Sequence, residues 1–594
     1  MQGVPAGGER GKQALESGAR PCYNGRMNPY LNPRYTPFSC RGSYFAVSCY
    51  STRPDGLPDV RLRTVSRRAD SDVVARLSLL VDGAPADCRL EMEPSELRLV
   101  ADAGSLRLCF GDAETVLFRA ESPRLGVRLD FSSPSGIATY GYDFPFGGRT
   151  LRLENCFANR SRLILDVRAG VRSDDQDWTG RGANRSVTDI QAGEGGLSAS
   201  LRIVPTEWDR VLPDWDFDEA AARQRAAFGA FLKGLPAAPA GLENARELAA
   251  YVLWSCCVRA EGCLKGEAML MSKNWMTNVW SWDHCFNSIA LAEAHPDIAW
   301  EQFIGIFRHQ DATGVIPDSI SDGAEVFTFC KPPIHGWALT RMMRRMTLTT
   351  EQLRTAYDAL SRWTEWWLNY RDRDHNGLCE YDHGNDSGWD NSTAFAFPPP
   401  VELPDLQAYL VLQMETLADL AGRLGLAAEA ESWTARSRAL LGRMCALCFD
   451  ADGRPLARKA FTGETDSPDS LILYLPVILG KRLPERIRTA LVRELSGDRF
   501  LTEWGYATES PKSPRYEPNG YWLGPIWAPE TLILVDGLRA CGEEKLARDV
   551  AGRFLRLFAK SGSAENFDAL TGEGLCDRAY TWASAVFLTL LTNP

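Results

Sequence analysis

The chain has 594 residues, with 66 Lys and Arg against 77 Asp and Glu for a formal charge of −11; 24% are charged and 45% hydrophobic. That length allows two to four domains, and the composition is that of an ordinary soluble globular protein. The acidic balance supplies no basic footprint for nucleic acid, and no run approaches the ~18 apolar residues that a membrane span requires.

The first 26 residues are Gly-rich and polar and lack the apolar core of a secretory signal. Residues 1–35 are therefore expected to form a disordered leader. From 36 to 215 short period-2 runs recur at 43–50, 73–81, 96–100, 105–110, 116–119, 126–131, 151–155, 161–168 and 197–204, separated by Gly, Pro, Asp and Ser. That spacing predicts an antiparallel β-sandwich. A linker helix over 217–235 and the Pro236-Ala-Ala-Pro239-Ala-Gly241 linker follow, so 216–241 joins the two halves.

Beyond 241 the period becomes helical, with about twelve stretches at 243–262, 283–294, 298–309, 333–347, 350–370, 404–424, 427–447, 467–480, 484–495, 527–541, 544–560 and 579–592. Ser281 and Thr350 stand where helix caps belong. Short turns alternating with long Gly/Pro/aromatic loops suggest six helical hairpins closed into an (α/α)6 barrel over 242–594. The absence of a clean repeat disfavours a solenoid. The expected fold is thus multidomain, a β-sandwich followed by an all-α barrel. The 16 cysteines show no framework and read as small buried hydrophobes; Cys445-x-x-Cys448 is a weak metal or redox signal. A cytoplasmic enzyme is expected.

Long loops are where function is expected. Fifteen of the 18 tryptophans follow residue 241, and many of them, including Trp275, Trp280, Trp282, Trp389, Trp504, Trp522, Trp527 and Trp582, sit beside Asp, Asn, Gly and Pro rather than in helical stripes. Trp363, Trp366 and Trp367 belong to a helix and read as core. Sugars stack their C–H faces on aromatic rings while their hydroxyls need carboxylates and amides. A pocket pairing large rings with convergent polar groups therefore suits a carbohydrate. Four segments combine these residue types: Asn274 to His284, Gln310 to Asp318 with Lys331-Pro-Pro, Asn385 to Ser392, and Gly520 to Trp527 with the later Glu565 and Tyr580-Thr-Trp582.

This ordered set (W-x-W-D, G-x-I-P, S-G-W-D-N-S, Y-W-x-G-P-I-W and a late Glu) resembles glycoside hydrolase family 63 and its trehalase-like relatives, over about residues 245–594. The resemblance implies an inverting, exo-acting α-glycosidase on an (α/α)6 barrel. It makes Asp390 the general acid and Glu565 the general base, with Asp283 holding sugar hydroxyls and Trp522 and Trp527 lining the same subsite. Trp275, Trp282, Gln310, Lys331, Gly388, Trp389, Tyr521 and Trp582 complete the expected substrate-binding set. Inversion needs a protonated carboxyl and an ionised one roughly 6.5–9.5 Å apart, with water between. Trp389 is expected to desolvate Asp390 and raise its pKa, while Glu565 needs a more polar setting. Glu503, Glu509 and Glu517 are rival bases.

The chain departs from the pattern at Leu523, where relatives often carry Arg, at Asp386, commonly Glu, and at Lys331, often Gln. Lys331 would suit a charged leaving group. Asp372-Arg-Asp374-His-Asn376-Gly377 opens like a calcium loop but has His383 where the closing acid belongs, so an Asx-rich turn is expected. The six histidines lie between 284 and 383 without zinc-motif spacing and read as polar loop surface. No cofactor or metal is expected, and the partner is a small carbohydrate, with neither nucleic acid nor membrane. An α-glucoside is the expected substrate. Two alternatives stand beside this reading: a sugar epimerase using His284 and His335, and a non-catalytic carbohydrate-binding protein.

Overall fold

The computed structural model describes residues 28, 30–132, 139–204, 212–396 and 398–592. Most of the expected leader lies outside these residues. Its last part is tied down: Leu31 is buried, and the Asn28 amide donates to the Asn244 carbonyl at 2.6 Å.

Two antiparallel sheets form the N-terminal region. One orders Phe45–Ser48, Val60–Thr64, Val73–Val81, Leu125–Asp130, Ser186–Gln191 and Val171–Gln176, with Ala84–Pro85 hairpinned onto Val73–Val81. The other orders Thr139–Phe146, Arg149–Cys156, Ser161–Ala169, Leu197–Val204, Thr115–Ala120, Gly104–Asp112, Glu96–Ala101 and Arg89–Glu93. Leu77, Val127 and Leu129 of the first sheet share an apolar core with Leu97, Leu108 and Phe118 of the second. The runs read from sequence fall on strands, but Val60–Thr64, Ala84–Pro85, Arg89–Glu93, Thr139–Phe146, Val171–Gln176 and Ser186–Gln191 were not expected. Arg89–Glu93, Thr139–Phe146 and Val171–Gln176 are sheet ends, where a strand buries too little for strong apolar alternation, whereas Val60–Thr64 and Ser186–Gln191 lie inside their sheet and bury polar residues such as Arg63, Thr64, Ser186 and Thr188.

Phe217–Gly234 is the expected linker helix, capped by Asp216, whose carboxylate accepts from Glu219 N at 2.8 Å. It packs on Gly104–Asp112 and on Glu243–Cys256. The helical region follows the predicted elements closely. Six helices, Asp283–Leu291, His335–Met343, Pro404–Arg423, Leu471–Arg482, Ala528–Cys541 and Thr581–Leu591, each touch the next, and the last touches the first. Outer helices pack behind this ring, among them Ala427–Leu447 on Pro404–Arg423 and Glu544–Ser561 on Ala528–Cys541.

Three local differences have physical causes. The first helix stops at Cys256 instead of 262, because Cys257–Val258 pairs as a strand with Ala268–Met269. Leu471–Arg482 is a kinked 3₁₀ run, since Pro476 removes a backbone donor and Gly480 has non-helical angles. The cap of Thr350–Tyr370 is Thr349, one residue earlier than expected, because only Thr349 forms a reciprocal box with Gln352. Likewise Trp282, not Ser281, precedes the first turn of Asp283–Leu291.

The two regions are locked together where the first candidate loop begins. Lys273 Nζ, fully enclosed, donates to Ser43 O at 2.6 Å and Ser39 Oγ at 3.0 Å, and Arg63 reaches Lys273 O at 3.0 Å. The chain thus enters the 274–283 loop from a fixed point.

Candidate active site

The N-terminal ends of the ring helices and the loops before them carry the candidate side chains. Asp283 opens its helix and is buried; its Oδ1 accepts from Tyr580 OH at 2.9 Å, one residue before the last ring helix. Burial pushes the Asp283 carboxyl up to about 7.

Asp390 stands on a tight turn after the short helix Gly384–Ser387. The turn depends on Gly388, which has φ +78°, and a Cβ there would lie 2.6 Å from the Trp282 ring. Gly388→Ala is therefore expected to destabilise the protein by about 1–3 kcal/mol, read by denaturant unfolding. The next residue latches the turn to the Gly520–Trp527 segment: Asn391 Oδ1 accepts from Trp522 N at 3.0 Å, and Asn391 Nδ2 donates to Gly520 O at 2.9 Å. Burial raises the Asp390 pKa, and Lys331 opposes that rise.

Glu565 is buried. Its Oε1 accepts from Tyr521 OH at 3.1 Å and its Oε2 from Asp577 N at 3.3 Å. Burial first, and the neighbouring Asp577 second, push its carboxyl up to about 8. The expected polar, ionised setting for Glu565 is thus reversed: with few polar neighbours, desolvation outweighs the two donors. Burial first, then the charges of Glu565 and Asp390, push the Tyr521 hydroxyl well up, so it stays a donor to Glu565. It holds that place with φ +64°, a costly conformation outside glycine.

The walls are aromatic. Trp522 and Trp527 stack with centroids 3.8 Å apart and planes 4° from parallel, and Trp389 stacks on Trp522 at 4.8 Å. Trp282 contacts Trp522 and Trp582, and Trp582 donates its indole N–H to Glu565 O at 2.9 Å. Such pairs contribute about 0.5–1.5 kcal/mol each beyond area burial and fix ring positions. The buried indole N–H of Trp522 has no partner within the protein, so a hydroxyl oxygen of a ligand is its natural acceptor.

Not every expected residue joins this cluster. The Gln310 amide donates to Gly314 O at 2.7 Å and Ala359 O at 3.1 Å, which fastens its own loop to the Thr350–Tyr370 helix. Trp275 is half exposed beside Tyr50 of the β-region. Lys331 is inside, but it is an enclosed cation: its Nζ pairs with Asp318 Oδ1 at 3.1 Å and donates to Asn385 O at 2.7 Å. Burial alone would lower its pKa; Asp318 and Asp390 outweigh that and raise it. Of the rival bases, Glu503 and Glu517 are exposed, and Glu509 accepts from the Ser513 and Thr393 hydroxyls.

Asp318, Asp577, Tyr580 and Glu530 were not singled out from sequence as site residues. Asp318 and Tyr580 sit in quoted segments, but Asp577 and Glu530 carry no motif. Burial pushes Glu530, beneath Trp389, up to about 8, so it brings no charge to the site at neutral pH. His375 and His383 are exposed in loops as expected, but the other four histidines are not loop surface. His284 and His335 are fully enclosed, His309 is buried with its Nδ1 2.7 Å from Glu325, and His295 reaches Phe231 O, because each lies in or next to a packed helix. The 372–377 segment makes Asx turns, Asp374 to Asn376 N and Asn376 to Leu378 N, while Arg373 and Arg458 pair with Glu380 and Glu402. The fifteen cysteines among the described residues are free thiols.

Residues 276–583 match the family described as the mannosylglycerate hydrolase MGH1-like glycoside hydrolase domain. The chain belongs to this family. It is a glycoside hydrolase of carbohydrate metabolism, in line with the family 63 resemblance. Among its relatives are mannosylglycerate hydrolase MGH1 of Selaginella moellendorffii, 23% identical over 52% of this chain and 80% of the relative, and glucosylglycerate hydrolase of Mycolicibacterium hassiacum, 22% identical over 53% and 92%. Among solved structures, the GH63 mannosylglycerate hydrolase of Thermus thermophilus in complex with glucose superposes with a TM-score of 0.50 at 20% identity, over 58% of this chain and 99% of that one. A bacterial glucoamylase complexed with acarbose gives 0.61 at 12% identity, over 94% and 93%. The first likeness is to the helical region's fold, the second to the fold of the whole chain, sheets included. No helix among the described residues is long and apolar enough to cross a membrane.

Proposed function

We propose that this glycoside hydrolase releases a terminal sugar from a small glycoside with inversion at the anomeric carbon. The six-helix ring and its outer partners serve as an (α/α)6 barrel, with the Trp-walled hollow at its mouth. Asp390 protonates the glycosidic oxygen, and Glu565 takes a proton from the attacking water on the opposite face. Asp283 accepts hydroxyls of the sugar, and the stack of Trp389, Trp522 and Trp527 walls the same subsite. Tyr521 carries this reading, because its hydroxyl is bonded to Glu565 and electrostatically coupled to Asp390.

The family's named activities suggest a short sugar on a carboxylate-bearing aglycone of the glycerate kind rather than a plain α-glucoside. Lys331 does not read that carboxylate, because Asp318 already neutralises it. The epimerase alternative loses support: His284 and His335 are neighbours, but they lie among Phe307 and Trp363, away from solvent.

A panel of mannosylglycerate, glucosylglycerate, disaccharides and nitrophenyl α- and β-glycosides tests this, with NMR of the first-released anomer. Cleavage of the glycerate glycosides with inverted configuration is expected. Retained configuration would refute the two-carboxyl scheme.

A further inference from the structure

We propose that His284, Cys285 and His335 form a zinc(II) site inside the helical domain, directly behind Asp283. The two helices that carry these residues, Asp283–Leu291 and His335–Met343, are neighbours in the ring. One ligand atom from each of the three lies within 4.8 Å of the others, and none is more than 1% exposed.

The hydrogen bonding is that of ligands. His284 Nδ1 is 3.1 Å from Trp280 O, which fixes the proton on Nδ1 and leaves Nε2 an acceptor. That Nε2 accepts from the Cys285 thiol at 3.7 Å, a contact that a shared metal ion would replace. Metal-binding imidazoles are oriented in this way, with the non-ligating N–H given to a carbonyl or carboxylate. His335 is more telling: neither ring nitrogen has a well-formed hydrogen bond, although the ring is fully buried against Phe307 and near Trp363. A buried polar group without a partner is costly, and an ion supplies the missing one. The fourth position of a tetrahedral ion would be left to water.

Two imidazoles and a thiolate in a water-excluded setting suit four-coordinate zinc. On binding, Zn²⁺ displaces the Cys285 thiol proton to solvent, and the cluster gains a net charge of about +1 with one thiolate and neutral imidazoles.

The test is metal content by elemental analysis after growth with zinc and dialysis, together with cobalt(II) spectroscopy. About one zinc per chain is expected, the load of one four-coordinate cluster. The cobalt-loaded protein should show a thiolate-to-cobalt band that Cys285→Ser abolishes, and Cys285→Ser and His335→Gln should each lose most of the zinc. Near-UV circular dichroism identifies a variant that has simply unfolded, and the wild-type measurements stand without it. A folded wild-type protein that takes up neither metal, even on refolding with zinc, would overturn the proposal and assign the space to ordered water. So would folded variants that keep their full zinc load.

Discussion

Asp390→Asn is expected to lower kcat by about 10³-fold on a glycerate glycoside, whose alkoxide leaves poorly, within the 10²–10⁴ range of positioned acid–base catalysis. On a dinitrophenyl glycoside the same variant should retain much of its activity, because that leaving group departs without a proton. Glu565→Gln should lose about 10³-fold on both substrates, since the attacking water still needs a base. The asymmetry separates the two roles. Rescue of Glu565→Gln instead of Asp390→Asn by the activated substrate would exchange acid and base. The structure gives a specific reason to ask, because Glu565 is the carboxyl driven up to about 8, whereas Lys331 restrains Asp390. Ligand binding should survive both amide substitutions; its loss in parallel with turnover would favour a binding protein.

The pH profile carries the second large effect. The acid must be protonated and the base ionised, and burial pushes both carboxyls up, Glu565 to about 8, while Lys331 opposes the rise at Asp390. The profile of kcat/KM should be a bell with one limb near 8. In Asp390→Asn with the activated substrate only Glu565 must ionise, so the rate should rise through about pH 8 and then stay level. A fall through that pH in the variant would contradict Glu565 as the base. In stability terms, the raised folded-state pKa means that Glu565 favours the fold below its unfolded pKa and that this contribution is lost as pH rises through about 8. Glu565→Gln should therefore flatten part of the stability decline over that window, measured by denaturant unfolding.

Legibility from sequence followed burial. Helices with one apolar face against the ring, such as Thr350–Tyr370 and Ala427–Leu447, were read to the residue, whereas edge strands such as Val171–Gln176, exposed along much of their length, left little pattern. The candidate loops were found because Trp, Gly, Pro and acidic residues crowd together there for chemical reasons that do not depend on fold.

The sequence by itself determined the order of the parts, the residue types of the hollow and the family to which they belong. It could not supply charge states, because a pKa depends on which groups from distant segments share a low-dielectric space. Asp318, 13 residues before Lys331, takes up that cation, and burial, with Asp577 adding to it and Tyr521 opposing it, sets the proton of Glu565. The same holds for His284 and His335: sequence alone places them in predicted helices and reads them as polar surface, and only the packing of two neighbouring helices encloses them with their rings 5.2 Å apart.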